Sequence, residues 1–171
     1  SQKQESADFR GKQSVAVTPE NTAKTMGSGT LNVFATPALV ALAEKTCWMS
    51  VADALDEGCG SVGTKLELEH TAPTPVGMTV TCESELTAVE GRKLVFKVSL
   101  YDEKGPVGGG VHERFVVNDA KFAAKAESKK GKLFFLGKLD GRRVGSQQLL
   151  LGPGLSFLQK PCRLFAGTEQ L

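Results

Sequence analysis

The sequence predicts an α+β protein in which an antiparallel sheet wraps around one long central helix. Residues 38–55 are mainly compatible with a helix and apolar on nearly every side, so we expect this helix to be enclosed rather than to lie on a surface. Three stretches after residue 60 alternate apolar and polar residues with a period of two, which is typical of antiparallel strands with one buried face. Together these observations favour a sheet curled around the helix.

The central helix has a recognisable start. Thr36 is expected to be its N-cap, and Pro37 suits the first helical position because its missing N–H does no harm there. The helix is predicted to run from Ala38 to about Leu55, where "DEGCG" ends it. Before it, residues 14–18 indicate a short strand and residues 21–30 indicate a polar loop.

The strands that follow place their apolar residues on one face. Three strands are in phase, whereas a fourth, over residues 107–117, begins with three glycines that leave its facing open. "AVEGR" and "DEKG" predict hairpin turns between strands. The residues expected to face the helix are Val62, Thr64, Leu66, Leu68 and His70 in the first strand, Met78, Val80, Cys82, Ser84 and Leu86 in the second, and Leu94, Phe96, Val98 and Leu100 in the third.

One hydrophobic core is expected, because 171 residues with 40% hydrophobic content suffice for one core and not for two. We assign residues 1–127 to the folded domain and residues 128–171 to a basic C-terminal appendage that is expected to be poorly ordered. The apolar clusters at 133–136 and 149–151 leave open that the appendage docks on the domain or contacts a membrane surface. The body is nearly neutral within a net charge of +2, so no nucleic-acid partner is expected.

Cysteines and apolar runs bear on the compartment. No run of about 18 apolar residues exists, so no transmembrane helix is expected, and the first residues lack the apolar centre of a secretory signal. The chain begins with Ser1 rather than Met, so a leader cannot be judged from it. The four cysteines, Cys47, Cys59, Cys82 and Cys162, are far apart and are expected to be free thiols in a reducing compartment, the cytoplasm or an organelle matrix.

Glu44 and His70 are the first candidates for chemistry. Glu44 is the one carboxylate within the apolar helix, and burying it without a partner would cost several kcal/mol. His70 lies in the inward phase of its strand, so it is expected to face the helix. Histidine is the usual general base near neutral pH. A structural pair in which His70 and Glu44 satisfy each other is the alternative, and His112 is expected to be a polar strand residue.

Three further residues have both structural and functional interpretations. Beyond capping the helix, Thr36 lies where a helix N-terminus favours a developing negative charge. Gly63 is predicted at an outward position, where it either relieves a bend or lets a backbone N–H approach a carbonyl. Arg114 is either a solvated strand residue or a guanidinium at a site mouth that suits a phosphate. Thr36 and Glu44 are eight residues apart, which is roughly 12 Å along a continuous helix, so they are not expected to touch. We therefore expect that the site combines residues of two subunits or that Thr36 and Glu44 contact different parts of the substrate.

Three blocks carry a resemblance to a known family. "VFATPALVALAEKTC", "SVGTKLELEHTAPTPVGMTVTCESELTAVEGRKLVFKVSLYDEKG" and "GGGVHERFVV" resemble the fluoroacetyl-CoA thioesterase family of hotdog-fold thioesterases over residues 14–125. The resemblance implies that Thr36, Glu44 and His70 are catalytic. It further implies that Gly63 helps to hold the thioester carbonyl and that Arg114 contacts coenzyme A.

The resemblance also implies an activity and an assembly. The expected enzyme is an acyl-CoA thioesterase that hydrolyses a short- or medium-chain acyl-CoA without metal or prosthetic group, coenzyme A being part of the substrate. A homodimer or a dimer of dimers is expected. "MGSGTLN" replaces the phenylalanines that precede "VFAT" in the fluoroacetate-selective member, so selectivity for a fluorinated acyl group is not expected. The alternatives are a non-catalytic acyl-CoA-binding or assembly protein and a hotdog hydratase or dehydratase.

Overall fold

The computed structural model describes residues 8–131 and 161–165. Its strands and helices follow one another in the order β1 Arg10–Ala16, α1 Ala23–Met26, α2 Thr36–Val51, β2 Cys59–His70, β3 Thr79–Glu90, β4 Lys93–Asp102, β5 Gly105–Asn118 and α3 Asp119–Ser128. Short 3₁₀ turns at Pro19–Asn21 and Ala52–Ala54 complete the described elements. No helix among the described residues is long and apolar enough to cross a membrane.

The five strands form one antiparallel sheet in the order β1-β3-β4-β5-β2. The sheet packs on α2, whose buried residues are Leu39, Leu42, Ala43, Thr46, Cys47 and Val51. They meet inward residues of β3 and β4 such as Val80, Leu94 and Phe96, all fully buried. This arrangement confirms the predicted α+β architecture with a sheet around a long helix. Strand β2 lies at an edge of the sheet, where it pairs only with β5 among the described residues.

The start of α2 differs from the prediction. Ala35 is the N-cap, with extended backbone and no side-chain cap bond, and Thr36 is the first helical residue. The Thr36 hydroxyl does not cap the helix because it forms a hydrogen bond with His70 instead. The helix is also covered on one side only, since Trp48 and Met49 are 44% and 40% exposed. The prediction that this helix is enclosed on every side is therefore wrong for a single chain, in which the sheet covers only one face of the helix.

A β-bulge changes the facing of β2. The pairing of β2 with β5 shifts between Gly63 and Lys65, so Thr64 is an extra residue. On the carboxyl side of the bulge, Leu66, Leu68 and His70 have the predicted inward phase. On its amino side the phase is reversed, and a Cβ built on Gly63 would lie 3.0 Å from Glu44 Oε2. The predictions that Gly63 points outward and that Val62 and Thr64 point inward were therefore wrong, because one extra residue inverts a period of two.

A disulfide joins the carboxyl-terminal segment to the domain. Cys59 and Cys162 form this bond across 103 residues, whereas Cys47 and Cys82 are free and buried. Burial raises the pKa of the Cys47 thiol to about 12 and that of the Cys82 thiol to about 11. The prediction of free thiols is thus confirmed for this buried pair and wrong for Cys59 and Cys162.

Residues 161–165 lie against the domain beside this disulfide. The Phe165 N–H donates to the Ala54 carbonyl at 2.8 Å, and Leu164 forms a β-bridge with Leu55. The Leu164 side chain packs on the core cluster. The expected poor order of residues 128–171 stays a prediction. The apolar clusters at 133–136 and 149–151 lie outside the described residues.

Candidate active site

The first half of the site is a hydrogen-bonded pair, Thr36 and His70. The Thr36 hydroxyl lies 2.9 Å from His70 Nδ1, which places the first residue of α2 against the last residue of β2. The pair borders an open cavity of about 230 Å³. The other residues that line this cavity are Ala23, Ser28, Val33, Phe34, Thr71, Ala72 and Pro73. Its walls are mostly small or apolar, so it can receive a short apolar group beside the pair.

His70 is neutral at physiological pH. Partial burial lowers the pKa of its imidazole below the ordinary 6.5, while the backbone of Ala72 acts in the opposite direction. A neutral imidazole has one nitrogen that donates a proton and one that accepts a proton. His70 can therefore serve as a base at neutral pH, with Thr36 fixing the orientation of the ring.

The second half of the site holds Glu44. Its Oε2 lies 3.5 Å from Arg114 Nη1, and its side chain is 42% exposed while that of Arg114 is 6% exposed. Arg114 is anchored on Ser61: Nε donates to the Ser61 hydroxyl at 2.8 Å and Nη2 donates to the Ser61 carbonyl at 2.7 Å. Burial lowers the pKa of the guanidinium, and the Glu44 carboxylate opposes this shift. The Glu44 carboxylate is thus held from one side and open on another.

His112 lies beneath Arg114 and is 1% exposed. Its Nδ1 is 2.9 Å from the Lys65 carbonyl, which only accepts, so Nδ1 carries the proton. Its Nε2 is 3.1 Å from Arg114 Nη1, which only donates, so Nε2 accepts. Burial is the main cause that lowers the pKa of His112, and the neighbouring Arg114 adds to it. His112 is therefore a neutral imidazole with both nitrogens occupied.

The two halves of the site lie apart within one chain. His70 bonds Thr36 and Glu44 contacts Arg114, so the alternative in which His70 and Glu44 satisfy each other is not found. Gly63, which faces Glu44, is seven residues from His70 along β2, roughly 20 Å at the usual rise of a strand. Thr36 and Glu44 do not bond each other, as the spacing on the helix predicts.

Five of the residues in these two groups were singled out from the sequence, and two others were missed. The five are Thr36, Glu44, Gly63, His70 and Arg114. His112 was expected to be an ordinary polar strand residue, and Ser61 was not considered. A signal for His112 exists, because His112, Arg114 and the buried Val116 alternate along β5 and so share the inward face. Ser61 carried no such signal, since the bulge at Thr64 inverts its phase relative to the rest of β2.

Comparisons with known proteins identify the family of the chain. Residues 17–120 match the family described as fluoroacetyl-CoA-specific thioesterase, FlK. A fluoroacetyl-CoA thioesterase from Streptantibioticus cattleyicolor is 46% identical over 97 residues, which cover 57% of this chain and 70% of that protein.

Solved structures share the fold. A structure of the fluoroacetyl-CoA thioesterase FlK superimposes with a TM-score of 0.69 at 38% identity, covering 72% of this chain and 96% of the other. A hot-dog-like protein from Thermanaerovibrio acidaminovorans superimposes with a TM-score of 0.67 at 24% identity, covering 73% and 93% of the two chains, which bears on the fold alone. The predicted resemblance, the hotdog fold and the thioester hydrolase class are thereby confirmed. The chain belongs to the fluoroacetyl-CoA-specific thioesterase family, FlK, of hotdog-fold acyl-CoA thioesterases.

Proposed function

We propose that the protein hydrolyses short- or medium-chain acyl-CoA thioesters to the free acid and coenzyme A. The observation that carries this proposal is the 2.9 Å contact between Thr36 Oγ1 and His70 Nδ1 at the edge of an open cavity, in a chain of the FlK family. The cavity would receive the acyl group, and the pair would meet the thioester carbonyl at its mouth.

The chemistry follows from the orientation of the pair. With the proton on Nδ1, His70 donates to the Thr36 oxygen, which frees the Thr36 O–H to donate to the carbonyl oxygen. Nε2 then takes a proton from water as the water oxygen attacks the carbonyl carbon. The tetrahedral intermediate expels the coenzyme A thiolate, which takes this proton from the imidazolium and leaves as the thiol. The backbone N–H of Gly63 from a second copy of the chain is the second proposed donor to the developing oxyanion.

A second copy of the chain would complete the site. Strand β2 is an edge strand of twelve residues, and an edge strand is a template for pairing. Antiparallel pairing of two β2 edges about a two-fold axis places the Gly63 end of one copy beside the His70 end of the other. Trp48, one turn beyond Glu44 on the same helical face, is 44% exposed and would be covered in such a dimer.

In this homodimer, Glu44 of one copy would face the pair Thr36–His70 of the other. Its carboxylate either orients the water and imidazole or attacks the carbonyl carbon to form an anhydride. These two routes differ in one observable, because only attack by Glu44 leaves an acyl group on the protein. Mass spectrometry of rapidly quenched protein, with Glu44→Gln as the control, separates them.

For Arg114, the contacts support a role other than holding a coenzyme A phosphate. Four of its hydrogen bonds go to Ser61, His112 and Glu44, and the residue is 5% exposed. A guanidinium so engaged has little capacity left for a phosphate. We therefore propose that Arg114 holds the Glu44 carboxylate.

The lining of the cavity supports a broad acyl specificity. Ala23 and Ser28 contribute small side chains, and a Cβ added at Gly29 would make only an ordinary contact with Ala23. No aromatic residue of the segment 27–32 closes the cavity. This lining therefore favours acetyl and longer linear acyl groups as substrates. It gives no reason for the enzyme to require a fluorinated group.

The deciding experiment incubates the protein with a panel of acyl-CoAs of increasing chain length and measures thiol release. Release that is faster than the uncatalysed rate supports hydrolysis. Binding without release would favour a non-catalytic acyl-CoA-binding protein. An altered acyl group with an intact thioester would favour a hydratase or dehydratase, so mass spectrometry of the products accompanies the thiol assay.

A further inference from the structure

We propose that His112 is a positioning residue of the active site: a permanently neutral imidazole that fixes the Arg114 guanidinium and, through it, the Glu44 carboxylate. The kinetic test of this inference rests on the proposed function. The tautomer of His112 and its hydrogen bonds rest on the geometry of β2 and β5 alone.

The hydrogen bonds of His112 allow one tautomer. The Lys65 carbonyl can only accept, so it requires a proton on Nδ1 at 2.9 Å. Nε2 then presents its lone pair to Arg114 Nη1 at 3.1 Å. The imidazole therefore bridges the two strands. Its Nδ1–H donates to the Lys65 carbonyl of β2, and its Nε2 accepts from the Arg114 guanidinium of β5.

This acceptor is important because Arg114 Nη1 has a second and weaker partner. Its contact with Glu44 Oε2 is 3.5 Å long, at the limit of a hydrogen bond. With Nε2 occupying one N–H of Nη1, the other is directed at the carboxylate. Ser61 fixes the opposite edge of the guanidinium through Nε and Nη2. The plane of the guanidinium is therefore set by Ser61 and His112, and Glu44 adapts to it.

The surroundings of His112 keep it neutral. The groups that face it are the Lys65 carbonyl, the Arg114 guanidinium and, beyond the guanidinium, the Glu44 carboxylate. Protonation of Nε2 would place an N–H against the N–H of Arg114, with loss of the hydrogen bond and repulsion between two cations. Because His112 is 1% exposed, water cannot relieve that repulsion. Because the His112 imidazole stays neutral near neutral pH, its hydrogen bond to the Arg114 guanidinium does not change with pH there.

The bulge at Thr64 brings His112 against Gly63. Lys65, whose carbonyl accepts the hydrogen bond from Nδ1–H, directly follows the bulge, and Gly63 directly precedes it. A Cβ on Gly63 would lie 3.2 Å from His112 Cε1, so the ring occupies the space that the missing side chain leaves. Gly63, His112 and Arg114 therefore form one packed unit under the Glu44 carboxylate.

A test that does not depend on activity uses the small number of histidines. The chain has two, so ¹⁵N spectra of imidazoles labelled in the intact protein give two sets of signals, and His70→Asn identifies those of His112. We expect the Nδ1–H tautomer for His112 and a pKa below the ordinary 6.5. An Nε2–H tautomer, or titration near pH 6.5, would overturn the inference whether or not the protein is a thioesterase.

The kinetic test compares two variants of His112. His112→Gln offers an amide oxygen near the position of Nε2, whereas His112→Phe has similar volume and no acceptor. We expect His112→Phe to lower kcat about tenfold to a hundredfold with KM changed by less than about threefold, and His112→Gln to recover most of the loss.

Equal kcat in His112→Phe and wild type, both folded by near-UV circular dichroism, would overturn the positioning role. If His112→Phe does not fold, equal losses in folded His112→Gln and His112→Asn would overturn it, because the shorter Asn amide can donate near the position of Nδ1 but does not reach the position of Nε2. Wild-type protein without thiol release on any acyl-CoA would instead refute the proposed function and leave the tautomer test to decide.

Discussion

Replacement of Gly63 by alanine tests the carboxylate half of the site directly. The added Cβ would lie 3.0 Å from Glu44 Oε2 and 3.2 Å from His112 Cε1, where ordinary contacts are about 3.4–4 Å. His112 cannot retreat, since it is buried and bonded through both nitrogens. Glu44 can, because its side chain is 42% exposed. A retreat of a few tenths of an ångström lengthens a contact with Arg114 that is already 3.5 Å, so the carboxylate loses its anchor.

The expected magnitude follows from that displacement. Misplacement of a catalytic group by about 1 Å costs on the order of a hundredfold, so a smaller shift is expected to lower kcat by about tenfold to a hundredfold, or roughly 1.4–2.8 kcal/mol. Gly63 does not have a positive φ, so alanine adds no backbone strain. We expect a stability loss of about 1 kcal/mol, which lowers Tm by roughly 2–4 °C.

The assay is thiol release from the best acyl-CoA of the panel, with Tm measured on the same preparation. Thr64→Ala is the matched control, because Thr64 is adjacent and exposed and its hydroxyl bonds only the Glu113 carbonyl within residues 8–131 and 161–165. We expect the control to keep kcat within about twofold of wild type. Wild-type kcat in Gly63→Ala would show that Gly63 does not support Glu44 and would refute the reasoning.

Three further predictions address the catalytic base, the disulfide and the cavity. His70→Ala should lower turnover about a hundredfold or more. Burial lowers the pKa of His70, so the neutral, active form persists below pH 6.5 and kcat/KM should fall only at more acidic pH; near-full hydrolysis in the variant, or an acid limb centred above 6.5, would contradict its role. Cys162→Ser should cost about 2–4 kcal/mol and lower Tm by roughly 5–15 °C in non-reducing buffer, and reductant should bring wild type to the same Tm while leaving the variant unchanged; equal Tm values would show that the disulfide does not form. Ser28→Phe should reduce kcat/KM for longer acyl groups at least about tenfold more than for acetyl-CoA, and an unchanged ratio would exclude Ser28 from the acyl cavity.

The fold was predictable because its signals are long and regular. Strands β3 and β4 each repeat apolar residues every second position, and α2 combines a Pro signal at its start with a run that has no Gly and no further Pro. Each signal sums over ten or more residues, so one exception does not change it. The same regularity placed His70 on the helix side of β2, where it meets Thr36.

The site was less predictable because its geometry depends on single residues and on distant partners. One extra residue, Thr64, inverts the phase of β2, and nothing in its side chain indicates a bulge. Thr36 was assigned as a cap because local capping rules do not include a histidine 34 residues away that competes for its hydroxyl. The partner of Cys59 lies 103 residues along the chain, and cysteine spacing alone does not define such a pairing.

The bulge makes the carboxylate half of the site sensitive to the length of the chain as well as to its composition. Loss of the single codon for Thr64 would restore an unbroken repeat of two in β2, and one half of the strand would have to turn over relative to the other. The packing of Leu68 against the core holds the carboxyl half, so Ser61 and Gly63 would leave the helix side. An in-frame deletion of three nucleotides could thus convert such a hydrolase into a protein that still receives the acyl group but has lost the support of its acid.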